Sequence, residues 1–156
     1  MTIKMKERGP WNRVVSAPKR AQRLVPKMTL VAVNRAGEKM SEALKDTITQ
    51  GRAGGPALSA STKDRKGHGI KLLDSHAFAN AIRFEPATLS REGLAGIPPG
   101  TNHPSGISMA KLGSMLENGT ALMPARPFVA PTEKRMAPTI SGIVNKGWER
   151  AWKTVY

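Results

Sequence analysis

Lys71-Leu72-Leu73-Asp74-Ser75-His76-Ala77-Phe78-Ala79-Asn80-Ala81-Ile82-Arg83-Phe84-Glu85-Pro86 changes its period in the middle. Asp74 or Ser75 can accept the free amides of a short helix, and residues 81–85 then alternate as a strand that Pro86 ends. Helical turn and strand follow without a loop, so the chain is neither all-helical nor all-strand. Downstream, a further strand is expected around 88–94, before an irregular excursion at Ile97-Pro98-Pro99-Gly100. Upstream, Val33, Gly37, Met40, Leu44 and Ile48 recur at spacings of four, three, four and four, the stripe of a helix over 28–50. Gly51 and Gly54-Gly55-Pro56 end it. A short helix over 107–118 stops at Gly119 in the left-handed region. In a last helix over 132–154, Met136, Ile140, Ile143, Gly147 and Ala151 share one face, and Pro138 kinks it or delays its start. The expected class is α+β: a small, mostly antiparallel sheet packed by two longer helices and preceded by an extended basic arm.

That arm occupies residues 1–27, with Lys4, Lys6, Arg8, Arg13, Lys19, Arg20, Arg23 and Lys27 against Glu7 alone. Pro10, Pro18 and Pro26 each remove a backbone donor, which predicts extended chain rather than a long helix. The α+β domain is expected over 28–156. Residues 51–70 read as a mobile loop carrying Arg52, Lys63, Arg65 and Lys66. These cations and those of the arm are candidate contacts for an anionic surface. Across all 156 residues, 25 Lys and Arg oppose 11 Asp and Glu for a net charge of +14, so polyanions and acidic protein faces are the natural partners. Seven aromatics and 27 Gly and Pro leave a thin core for a chain this long. Other chains are therefore expected to supply part of the burial.

Chemistry is conspicuous by its absence. No cysteine is present, which excludes a disulfide framework, a thiolate zinc site and a cysteine nucleophile. No apolar run is long enough for a membrane span or a secretory signal, so the chain is expected to act where it is made. His68, His76 and His103 lack the spacing that places two imidazoles on one metal. Ser108-Met109-Ala110-Lys111 fits Ser-x-x-Lys without any companion motif and reads as helix surface. Asp74, Glu85, Glu117 and Glu133 fall on separate elements, so no carboxylate pair is set up for acid/base work. Asn118-Gly119-Thr120 fits a glycosylation sequon, expected to stay unmodified in a chain read as carrying no secretory signal. Neither an enzyme nor a cofactor is expected. Trp148, Trp152 and Tyr156, four residues apart, form a ridge on the last helix that either seals the core or anchors a neighbour.

Leu112-Gly113-Ser114-Met115-Leu116-Glu117-Asn118-Gly119-Thr120, followed by Met123-Pro124-Ala125-Arg126-Pro127-Phe128-Val129-Ala130-Pro131, resembles the signature of the tail-completion (neck) proteins of long-tailed bacteriophages, also called phage virion morphogenesis proteins. That family shows an acidic residue and Gly-Thr, then Pro-x-Arg-Pro-Phe and a Pro opening the last helix. Glu117, Gly119, Thr120, Pro124, Arg126, Pro127, Phe128 and Pro131 match it. Leu72-Leu73-Asp74-Ser75 through Phe78 and Ile82 is similar to a second family block, with His76 where the family has Gly and Lys71 where it has Pro. The two blocks span roughly 55–154.

The resemblance implies a structural virion protein at the head-tail junction, assembled in the host cytoplasm. It would form a homo-oligomeric ring, commonly of six copies, that meets adjoining neck and tail tube proteins. Independently of the family, Pro124 and Pro127 hold the chain extended, Phe128 can bury its ring before the last helix, and Arg126 can reach Glu117 or a carbonyl. The result is a rigid corner. Six basic arms around passing DNA would exceed the roughly 24 phosphate charges on about 40 Å of duplex. Many of these cations are therefore expected to face acidic neighbours. The alternative is a sequence-independent DNA-binding protein using the basic arm.

Overall fold

The computed structural model describes residues 11–72 and 76–155, with side chains from 16 onward. Its elements are α1 (Trp11–Thr49), α2 (Ala60–Lys66), α3 (Ala77–Ala81), β1 (Arg83–Glu85), β2 (Leu94–Gly96), α4 (Met109–Asn118) and α5 (Val129–Val155). The class is α+β: the two long helices pack together beside a two-stranded antiparallel sheet.

From residue 11 on, one helix takes the place of the expected arm and of the 28–50 helix. It passes through Pro18 and Pro26 without a break, so the boundary drawn at residue 27 falls inside a single element. Each proline still removes one helix bond, but both side chains stand exposed, where the unpaired carbonyl can meet water. Ala17 is buried in this segment, so packing, and not local propensity, sets the helix length. Residues 1–10 of the expected arm lie outside the described residues.

Two stripes of α1 are buried. Leu44 and Ile48 continue the apolar stripe expected from sequence, whereas Ala32, Ala36, Ala43 and Thr47 form a neighbouring row of small residues. The small row admits α5 at close range. A methyl group on Gly147 would collide with the Ala32 methyl, and Thr47 meets Thr132 through their hydroxyls. These two contacts make the helices antiparallel. Arg135 adds hydrogen bonds to Ala43 O at 3.2 Å and Thr47 Oγ1 at 2.9 Å. On α5 the expected face over Met136, Ile140, Ile143, Gly147 and Ala151 does turn inward, extended by Thr132 and Val155.

The sheet rides on the middle of α1. Phe84 pairs with Ala95, and its ring would come within 2.6 Å of a methyl group on Gly37, so glycine there lets the strand approach. Asn34 fixes the same junction: its Nδ2 donates to Ala87 O at 3.1 Å and its Oδ1 accepts from Ala87 N at 2.7 Å. The strand expected at 88–94 is confined to β2, because Thr88 and Arg91 close a turn first. The main core lies at one end of the helix pair, where Leu44 and Ile48 meet Leu72, Phe78, Ile82, Met109 and Phe128.

Within the expected 51–70 loop, Ser59 accepts from Thr62 N to start α2 and Gly67 stops it in the left-handed conformation. None of the α2 residues is buried. No helix among the described residues is long and apolar enough to cross a membrane.

Candidate functional site

The residues that carry the sequence signature converge on the start of α5. That helix has no Ser, Thr, Asp or Asn immediately before it, so its first amides need a remote acceptor. Glu117, in the last turn of α4, provides one. Its Oε2 accepts from Phe128 N at 2.8 Å and Val129 N at 2.9 Å, and its Oε1 from Ala130 N at 3.0 Å. The next residue is Pro131, which has no N–H to satisfy. The helix dipole favours a carboxylate at this end. α5 thus starts at Val129, three residues before the expected 132, because its cap comes from another element.

Phe128, just ahead of α5, is buried and meets Phe78 edge to face, with ring centroids 5.5 Å apart at 81°. Arg126 N donates to Leu116 O at 2.7 Å, and Gly54 N donates to Pro127 O at 2.7 Å. Gly55, at φ +78°, lies so close to Ala125 O that a methyl group would collide with it. Lys71 clamps the same loop, its Nζ donating to Ala53 O at 3.2 Å, Gly54 O at 3.3 Å and Gly55 O at 2.7 Å. Gly119 has φ +77° with ψ 179°, so it stops α4 with positive φ but not in the left-handed helical well. A methyl group there would lie 2.8 Å from Ala125 N. The expected rigid corner therefore exists, with one change of partner. Glu117 serves backbone amides, and the buried Nε of Arg126 has no hydrogen-bond partner among the described residues. The missing local cap of α5 was the signal for this role of Glu117.

Burial alone pushes the Glu117 carboxyl upward, but the amides of Ala130, Val129 and Phe128 outweigh it and hold its pKa below the ordinary value. A carboxyl depressed in the folded state stabilises above its unfolded pKa, and that contribution is lost as pH falls through the folded value. Glu117→Gln is expected to cost about 1 kcal/mol at neutral pH, the scale of a helix cap. The variant should also show a flatter decline in melting temperature below the ordinary value of 4.5. Identical decline in the two proteins would refute the capping role.

Among the described residues, the other candidates do not gather into one patch. Lys19 and Arg23 are exposed on α1 and Arg20 is half-buried there, whereas Arg52, Lys63, Arg65 and Lys66 belong to the loop and α2 at the far end. Arg23 precedes the end of α1 by 26 residues, roughly 40 Å of helix. The α2 cations also suit the C-terminal end of their own helix dipole. Arg13 lies in α1 with its side chain outside the described set, and Lys4, Lys6, Arg8, Asp74 and Tyr156 lie outside the described residues altogether. Trp148 and Trp152 are 40% and 44% exposed, whereas Ala151 and Val155 on the same helix are fully buried.

Sequence reasoning missed three surfaces. Arg35, Lys146 and Arg150 line a groove of about 540 Å³ on one side of the helix pair. On the other side, α1, the sheet and α5 line an open apolar groove of about 660 Å³, in which Glu133 is the one charged residue among the described lining. Leu122, at the tip of the turn between α4 and α5, is 98% exposed. All three depend on helix register or loop direction, which spacing along the chain does not reveal. Ser108 caps α4 by accepting from Lys111 N, which accounts for the Ser-x-x-Lys match. No cluster of three His, Asp or Glu side chains able to hold a metal occurs among the described residues. No model of a known protein family matches the chain, and neither does any curated protein or solved structure.

Proposed function

We propose that this chain is a ring-forming structural subunit of a bacteriophage neck, one that completes the tail and joins it to the head. The observation that carries the reading is the corner itself. Glu117, Gly119, Pro127 and Phe128, on which the resemblance rests, are the residues that interlock α4, the 53–55 loop and α5. His76 adds support, since it takes φ +57° where the family has Gly. The role is geometric and needs no catalysis or cofactor. A fixed corner sets the direction of α5, whose half-exposed tryptophans offer a neighbouring subunit amphipathic anchors. Locating the chain by electron microscopy at the head-tail junction of a mature particle is the expected result; its absence from that junction would end the reading.

The groove lined by Arg35, Lys146 and Arg150 favours a second reading, sequence-independent DNA binding. That reading expects affinity of the purified chain for duplex DNA to fall steeply with salt and to weaken when these three residues are neutralised.

A further inference from the structure

We propose that copies of this chain join through Leu122 of one copy seated in the apolar groove between α1, the sheet and α5 of the next. The inference rests on the ring reading and names its subunit contact.

Both halves of the contact are preformed. Thr120 N donates to Met123 O at 2.8 Å and Met123 N to Thr120 O at 3.2 Å, while Thr120 Oγ1 accepts from Leu122 N and Met123 N. The turn grows directly from Gly119, which is wedged against Ala125 in the rigid corner. It therefore holds Leu122 out in the solvent at almost no ordering cost on binding. The groove supplies the complementary shape: Val33 and Met40 from α1, Phe84 and Leu94 from the sheet, Met136 and Ile140 from α5. Trp148 follows Val144 of the lining by one helical turn and extends this apolar face. At about 660 Å³ the groove has room for the Ala121-Leu122-Met123 tip as a whole.

Charge selects a second copy as the occupant. Two chains of net charge +14 repel on approach, so a stable self-contact must bring together surfaces free of cations. The tip contains no charged residue from Gly119 to Ala125, and among the described residues the groove lining contains Glu133 but no Lys or Arg. An acidic partner protein would instead be drawn to the opposite groove with Arg35, Lys146 and Arg150. The tip lines no part of its own groove, and knob and hole at different places on one chain make a head-to-tail contact, which closes into a ring when the rotation permits.

The test is sedimentation of the full chain over a range of concentrations. Leu122→Glu, at an exposed turn, and Val33→Glu, on an exposed helix position, are each expected to raise the half-assembly concentration at least about tenfold, and Leu122→Met to leave it unchanged. Ala137→Glu serves if Val33→Glu unfolds. Mixed Leu122→Glu and Val33→Glu chains retain one intact knob and one intact groove per pair, so they should form dimers that do not grow. Wild-type-like assembly of Leu122→Glu overturns this contact and leaves the ring reading standing. A wild-type chain monomeric at every concentration overturns both. Leu122-dependent rings from a protein missing at the head-tail junction would support the contact and sink the neck reading.

Discussion

Replacing Phe128 by alanine is expected to lower stability by about 3–5 kcal/mol, the range for removing a fully buried phenylalanine. Its ring is 4% exposed and packs edge to face on Phe78. Its carbonyl accepts from Thr132 Oγ1 at 2.6 Å and its amide donates to Glu117. Backbone and ring thus hold the same point, so the corner has little freedom to collapse into the vacated space. At 156 residues, the melting temperature should fall by on the order of 10 °C. The loss in Phe78→Ala/Phe128→Ala should be smaller than the sum of the single losses, because the first substitution already removes the ring pair. An unchanged melting temperature for Phe128→Ala would refute the corner as the anchor of α5.

Gly55→Ala is expected to cost about 3 kcal/mol or more, from two sources that a control can separate. Its φ of +78° penalises any side chain, by roughly 1–2 kcal/mol. The added methyl also meets Ala125 O, and a backbone carbonyl cannot rotate away as a side chain would, so overpacking adds about 1–3 kcal/mol. Gly100 has φ +77° but open space around it, so Gly100→Ala should show only the conformational part. Equal losses in the two variants, read by denaturant unfolding, would show that the 53–55 loop does not bear on the corner.

What the sequence revealed follows from range. Period alone placed the α5 face over Met136, Ile140 and Ala151 and the helix-to-strand passage near Ile82, because each depends on neighbours within a few residues. Pro18 and Pro26 misled for the same reason: their local penalty is real, and only packing along α1 offsets it. Glu117 was singled out, but its partners were not, since the amides of Phe128, Val129 and Ala130 lie eleven to thirteen residues on. Asn34 and Lys71 hold backbone at still greater separation, and no pattern along the chain marks them. Thr47 and Thr132 meet across 85 residues inside the α1–α5 interface, a polar contact outside both apolar stripes that spacing had marked.

The main core, at the Leu44–Ile48 end, takes in no residue of α1 before Met40 among the described residues, so the opposite end of the helix pair lies outside it. There the buried side chains are small, Ala17, Ala32 and Ala151 with Val155, so fewer contacts oppose local opening. Backbone amides of α1 should exchange with deuterium ever faster from Ile48 back toward Ala17. The molecule then behaves as a pillar footed at one end, whose free shaft yields to a load well before its foundation does.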